Sequence, residues 1–98
     1  MLPIKITRLA STQIHEAASW WRANRPAAPE ALDEELRQAF HLISQQPDIG
    51  AIATNARLSG VRRIHLSRVR YYVYYRVRAS GIEVLALWRS SRGEAPVV

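Results

Sequence analysis

The densest chemistry in this chain lies at residues 69–78, which read Val-Arg-Tyr-Tyr-Val-Tyr-Tyr-Arg-Val-Arg. At a period of two, Val69, Tyr71, Val73, Tyr75 and Val77 form one apolar face, and Arg70, Tyr72, Tyr74, Arg76 and Arg78 form an aromatic and basic one. The first face is expected to pack on a core, and the second to meet solvent or a partner. Guanidinium groups bind phosphate or carboxylate in a bidentate fashion, and tyrosine adds stacking area and a hydroxyl. Arg62 and Arg63 upstream and Arg89 downstream are expected to join the patch. The same residues also suit cross-strand tyrosine pairing with arginines guarding a sheet edge. Tyr72 and Tyr74 therefore fit either role singly, while the patch as a whole reads as functional.

Groups able to move a proton are few. His15 and His41 fall on solvated helical faces, and only His65, in phase with Arg63, can reach the patch. A structural role is the simpler reading of His65. Arginine, with a pKa above about 12, is no conventional base, though it can stabilise a phosphorane. Without cysteine there is no disulfide, thiolate metal site or cysteine nucleophile. No His, Asp or Glu spacing converges on a metal, so neither metal nor cofactor is expected. Ser91-Arg92-Gly93 reads either as a recognition tip or as a polar tail. Trp21 belongs to a buried helix face, and Trp20 beside it is either core or an exposed anchor, core being the simpler reading.

The elements that must position these groups follow from periodicity. Residues 2–6 alternate weakly as a short strand, and Pro3 places it at a sheet edge. Thr7 can cap a helix over residues 8–24 with an apolar face of Ala10, Ile14, Ala17, Ala18 and Trp21. Pro29 suits the first turn of a second helix, with Glu30, Asp33 and Glu34 at the positive end of its dipole. Its apolar face is Leu32, Leu36, Ala39, Phe40 and Ile43, at the same spacing as the first. The short break between them gives an antiparallel hairpin over residues 8–46. Residues 47–60, with Pro47, Gly50 and Gly60, read as loop. The period then changes to two, giving antiparallel strands at Val61–Ser67, Val69–Arg78 and Gly81–Arg89 and a tail from Ser90. The expected order is β-α-α-β-β-β, an α+β fold in one domain spanning residues 1–98, with a helical hairpin on a small antiparallel sheet.

Charge is unevenly distributed along the 98 residues. Residues 1–56 net −1, whereas residues 57–98 hold nine arginines against Glu83 and Glu94 and net +7. Such asymmetry attracts polyanions, either nucleic acid or an acidic protein segment, although solubility charge alone would also produce it. No apolar run approaches the roughly 18 residues of a membrane helix. Residues 1–6 lack a basic leader followed by an apolar stretch, so no secretory signal or membrane association is expected, and a cytoplasmic location is the natural reading.

Three stretches in order resemble the C-terminal half of ParE-like toxins of the RelE/ParE superfamily: Gly60-Val61-Arg62-Arg63-Ile64-His65-Leu66, Arg70-Tyr71-Tyr72-Val73-Tyr74-Tyr75-Arg76-Val77, and Ile82 through Gly93. Glu35–Phe40 and Gln46–Gly50 are similar to the same family. The resemblance implies the toxin of a type II toxin–antitoxin pair, neutralised by a small cognate antitoxin, that either inhibits DNA gyrase or cleaves mRNA on the ribosome. The RNA-cutting members resemble one another in an arginine where this chain has Tyr72, and in basic or tyrosine groups near the C-terminus. Here the one lysine is Lys5, the last tyrosine is Tyr75, and Trp88-Arg89 stands where ParE-like chains often carry Trp-His. The expectation is a docking inhibitor of DNA gyrase without catalytic residues, and the alternative is a ribosome-dependent endoribonuclease of the RelE type. Target or antitoxin is expected to be bound by Arg62, Arg63, Arg70, Tyr72, Tyr74, Arg76, Arg89 and Arg92. Toxicity is expected to rest on Arg76, Arg89 and Arg92 in particular.

Overall fold

The computed structural model describes all residues, Met1–Val98. Thr7 opens the first helix as its sequence suggests: it sits in extended conformation, and its Oγ1 accepts the Ala10 N–H at 3.3 Å. Helix α1 (Arg8–Asn24) is followed by a double turn and helix α2 (Ala31–Gln45). Pro29 lies in that turn rather than in the helix. The Ala28 carbonyl accepts both the Ala31 N–H at 3.2 Å and the Trp21 indole N–H at 2.8 Å, which fixes the connection before α2 begins. Asp33 and Glu34 occupy the first turn of α2, where the helix dipole favours them.

The sheet is larger and more mixed than the sequence pattern implies. Strands β1 (Ile4–Ile6), β2 (Ala51–Ile52), β3 (Val61–Leu66), β4 (Tyr71–Arg78) and β5 (Gly81–Arg89) lie in the order β1-β5-β4-β3-β2. The β3–β4–β5 meander is antiparallel as expected, but β1 sits at the edge parallel to β5, through the pairing of Ile4 with Ile82 and Ile6 with Val84. The two-residue β2 lies inside the stretch read as loop and pairs with Arg62 and Arg63. Beyond Val84, β5 has no strand on its β1 side; there Gln13 Oε1 of α1 takes the Leu87 N–H at 2.9 Å. Val69 and Arg70 belong to a tight turn before β4 rather than to the strand, and Arg70 adopts φ 62°.

Both helices lie on one face of the sheet. Small α1 residues Ala10, Ala17 and Ala18 allow close approach, and Leu32, Leu36 and Ala39 of α2 complete a core with Tyr71, Val73, Val84 and Leu87. Full burial of each leucine or valine side chain here contributes about 1.5–3 kcal/mol. A second cluster joins Ile43, Tyr75 and Ile82. The odd-numbered residues of β4 therefore face the helices, except that Val77, at the turn end of the strand, is 40% exposed. A bulge shifts the β4–β5 register, so that Tyr74 pairs with Ala86 but Tyr75 with Val84, leaving Leu85 extra. Leu85 and Ala86 consequently both turn to the face away from the helices, where they pack with Val61 and Tyr74.

Candidate functional site

The residues singled out from sequence are divided by the sheet between two faces. On the face away from the helices, cross-strand register sets Arg63 opposite Tyr74, His65 opposite Tyr72 and Tyr72 opposite Trp88. The Arg63 guanidinium lies 4.2 Å above the Tyr72 ring and donates to Tyr74 Oη at 3.3 Å. That hydrogen bond, opposed by partial burial, holds the Arg63 pKa above its ordinary value. The His65 ring packs against Tyr72, tilted by 43° with centroids 4.7 Å apart. Arg76 donates from Nε to Glu83 at 2.7 Å, so its charge is already matched across the strands.

This outer face is not open along its length. The residues after β5 cross it: Trp88 Nε1 donates to the Glu94 carbonyl at 2.7 Å, Pro96 is buried, and the Val98 oxygen accepts the Arg57 and Leu58 N–H groups. Val98, with Ala53 and Ala56, covers the Val61–Tyr74–Leu85 cluster. Tyr74, expected to meet solvent or a partner, is instead 3% exposed. Ser91-Arg92-Gly93 begins this crossing, and Arg92 rests 4.0 Å over the Trp88 ring. Thus Arg63, Tyr72, Tyr74 and Arg92 form one cluster, roofed in part by the chain itself.

Arg62, Arg70 and Arg89 do not join it. Arg62 alternates to the helix side and donates to the Asp48 and Gly50 carbonyls at 3.1 and 2.8 Å, bracing the 48–50 loop. Tyr75 braces the same loop: its Oη accepts the Gly50 N–H and donates to the Pro47 carbonyl, both at 2.9 Å. A Cβ at Gly50 would stand 2.6 Å from that phenol oxygen, so only glycine fits without displacement.

Arg89 pairs with Tyr71 and so also faces the helices, where its guanidinium sits 5.6 Å from the Trp20 ring. Arg25, at the end of α1, lies 5.1 Å from the same ring. With Arg68 and Arg70 from the β3–β4 turn they surround a bay of about 460 Å³ at one end of the molecule. Trp20 is 40% exposed there, so it is an accessible side chain rather than the core residue expected. Tyr71 forms part of the bay, and burial pushes its phenol pKa up while the Arg89 charge opposes that shift. Sequence reasoning passed over Arg25 and Arg68. The four-residue spacing of Trp21 and Arg25 was a usable sign, because it stacks the two at a helix end.

Four of the fourteen cations make ion pairs: Arg22 with Asp33, Arg62 with Asp48, Arg68 with Glu34 and Arg76 with Glu83. Of the nine arginines beyond residue 56, Arg57, Arg63, Arg70, Arg78, Arg89 and Arg92 have no carboxylate within 4.0 Å. No three His, Cys, Asp or Glu side chains come together as a metal site, and no helix is long and apolar enough to cross a membrane.

Comparison with known proteins places this geometry in a family. A chain from the chromosomal ParDE toxin–antitoxin system of P. aeruginosa has a similar fold, with TM-score 0.63 at 21% identity over 91% of this chain and 96% of that one. A search of curated protein sequences finds no match. The family model for the ParE toxin of the type II toxin–antitoxin system parDE matches residues 4–93. With that match spanning nearly all of the sequence, the chain belongs to the ParE toxin family of type II toxin–antitoxin systems.

Proposed function

We propose that this toxin arrests growth by docking on DNA gyrase and inhibiting it, and that a cognate acidic antitoxin silences it by covering the same positive surface. The observation that carries this reading is the set of unmatched guanidinia around the end of β5. Arg89 lies over the Trp20 ring and Arg92 over the Trp88 ring, neither with a carboxylate within 4.0 Å, and each indole limits the freedom of its guanidinium. Cations held in this way lose little entropy on binding an anionic surface. The aromatic outer face suits support more than catalysis, since His65 packs against Tyr72 and Tyr74 is buried beneath Val98, Ala53 and Ala56.

Single alanine substitution at His65, Tyr72, Tyr74, Arg76, Arg89 and Arg92 tests this, scored by growth arrest and gyrase supercoiling. A docking inhibitor loses affinity in steps, about tenfold for each contact of about 1.4 kcal/mol removed, so Arg89→Ala and Arg92→Ala weaken inhibition by graded amounts. An enzyme deprived of its base loses rate by roughly two to four orders of magnitude at one position. Activity that vanishes with His65→Ala or Tyr72→Ala alone, together with cleaved mRNA, would reject the inhibitor.

A further inference from the structure

We propose that the bay formed by Trp20, Arg25, Arg70 and Arg89 is the docking site for an acidic segment of the antitoxin, with its carboxylates on the guanidinia and an apolar side chain on the bay floor. This rests on the toxin–antitoxin reading above and gives the partner a definite place, which meets the proposed target surface at Arg89 and extends from it to Arg25 and Arg70.

The floor of the bay is apolar, built from buried Val69 and Tyr71 beside Trp21, while the cations stand around the rim. An apolar anchor ringed by opposite charge is the pattern of a protein hot spot. The rim already shows what it binds. The chain's own Glu34 reaches Arg68 at 3.0 Å, whereas Arg25, Arg70 and Arg89 have no carboxylate within 4.0 Å. The turn is also held ready. Arg70, which is not glycine, stands at φ 62° because its N–H donates to the Leu66 carbonyl at 2.7 Å and its carbonyl accepts both the N–H and the hydroxyl of Ser90 at 2.9 Å. A residue kept in that region by surrounding contacts stores local strain, and here the contacts fix where the side chain starts.

A peptide fits better than nucleic acid. Guanidinia of Arg25 and Arg89 already lie over the Trp20 ring at 5.1 and 5.6 Å, so a stacked base would have to displace one of them. A carboxylate instead meets the edge of a planar guanidinium and leaves both stacking contacts intact. A phosphate backbone also favours a line of cations along a groove, whereas these converge on a single hollow.

The test uses the full chain and a fluorescein-labelled short peptide of glutamates interrupted by leucine, read by anisotropy. The peptide is expected to bind. Arg25→Glu and Trp20→Ala should each weaken it by about tenfold or more, while Arg78→Glu, a cation outside the bay, leaves it unchanged. The same peptide with glutamine for glutamate should not bind. Thermal melting checks that Trp20→Ala is folded; the surface change Arg25→Glu carries the test by itself if it is not. Unaltered binding to Arg25→Glu overturns the proposal, as does equal loss with Arg78→Glu. Displacement of the peptide by a short DNA duplex makes the bay a nucleic-acid site and overturns it too. In cells, Arg25→Glu should still arrest growth but no longer be rescued by the antitoxin that silences the wild type. A wild type that causes no arrest refutes the toxin reading, while the peptide arm still judges the bay.

Discussion

Tyr75 shows how one side chain holds the loop between the helices and the sheet. It is fully buried, and its phenol closes hydrogen bonds to Gly50 and Pro47 that water cannot replace. Tyr75→Phe should therefore lower stability by about 1–3 kcal/mol, measured from the denaturant midpoint. Burial pushes the phenol pKa up from 10, against the Gly50 N–H and the Arg62 charge, which oppose it. The unfolded chain therefore ionises first as pH rises. Stability is intact below pH about 10 and falls as pH climbs through the folded value, and Tyr75→Phe should blunt that fall. An alkaline fall in stability left unchanged by the substitution would assign it to Tyr71, whose pKa is raised in the same direction.

At the scale of elements, residues 94–98 pack over the outer face of the sheet rather than running free. Val98 covers the Val61–Tyr74–Leu85 cluster, Pro96 is buried in the same segment beside a pocket that Tyr74 also lines, and Trp88 fastens the segment through Glu94. Pro96→Asp should lower stability by about 1–3 kcal/mol through a charge placed in that cover. Amide exchange should then speed up in residues 53–58 and 94–98 while α1 and α2 keep their protection; uniform exchange across the chain would mean that the cover is not a separate unit. Much of the architecture was legible in sequence, because helix and strand periods are local. Thr7, the two apolar helix faces and the β3–β4–β5 meander all declare themselves that way. The parallel docking of β1 on β5 and the two-residue β2 depend on contacts far apart in sequence, and the cover depends on backbone groups that every residue carries. The bulge at Leu85 is equally hidden, since Val84-Leu85-Ala86-Leu87 is apolar throughout and shows no break in alternation. The site was half legible for the same reason: Arg63 and Tyr72 share a face by simple alternation, whereas Arg89 shares one with Trp20 only after the bulge and the helix packing are known.

For the whole molecule, charge sets the behaviour with partners. Six arginines beyond residue 56 have no internal carboxylate, and the sequence nets +6. Association with an acidic antitoxin should be fast and should slow steeply as salt rises, while dissociation changes little; stopped-flow mixing at several salt concentrations measures this, and an association rate indifferent to salt would exclude steering. Target choice is the central question. The most direct measurement titrates the purified chain into a gyrase supercoiling reaction and, from the same preparation, into ribosomes programmed with mRNA. Inhibited supercoiling with intact mRNA is the predicted result. Cleaved mRNA with supercoiling untouched would contradict the account.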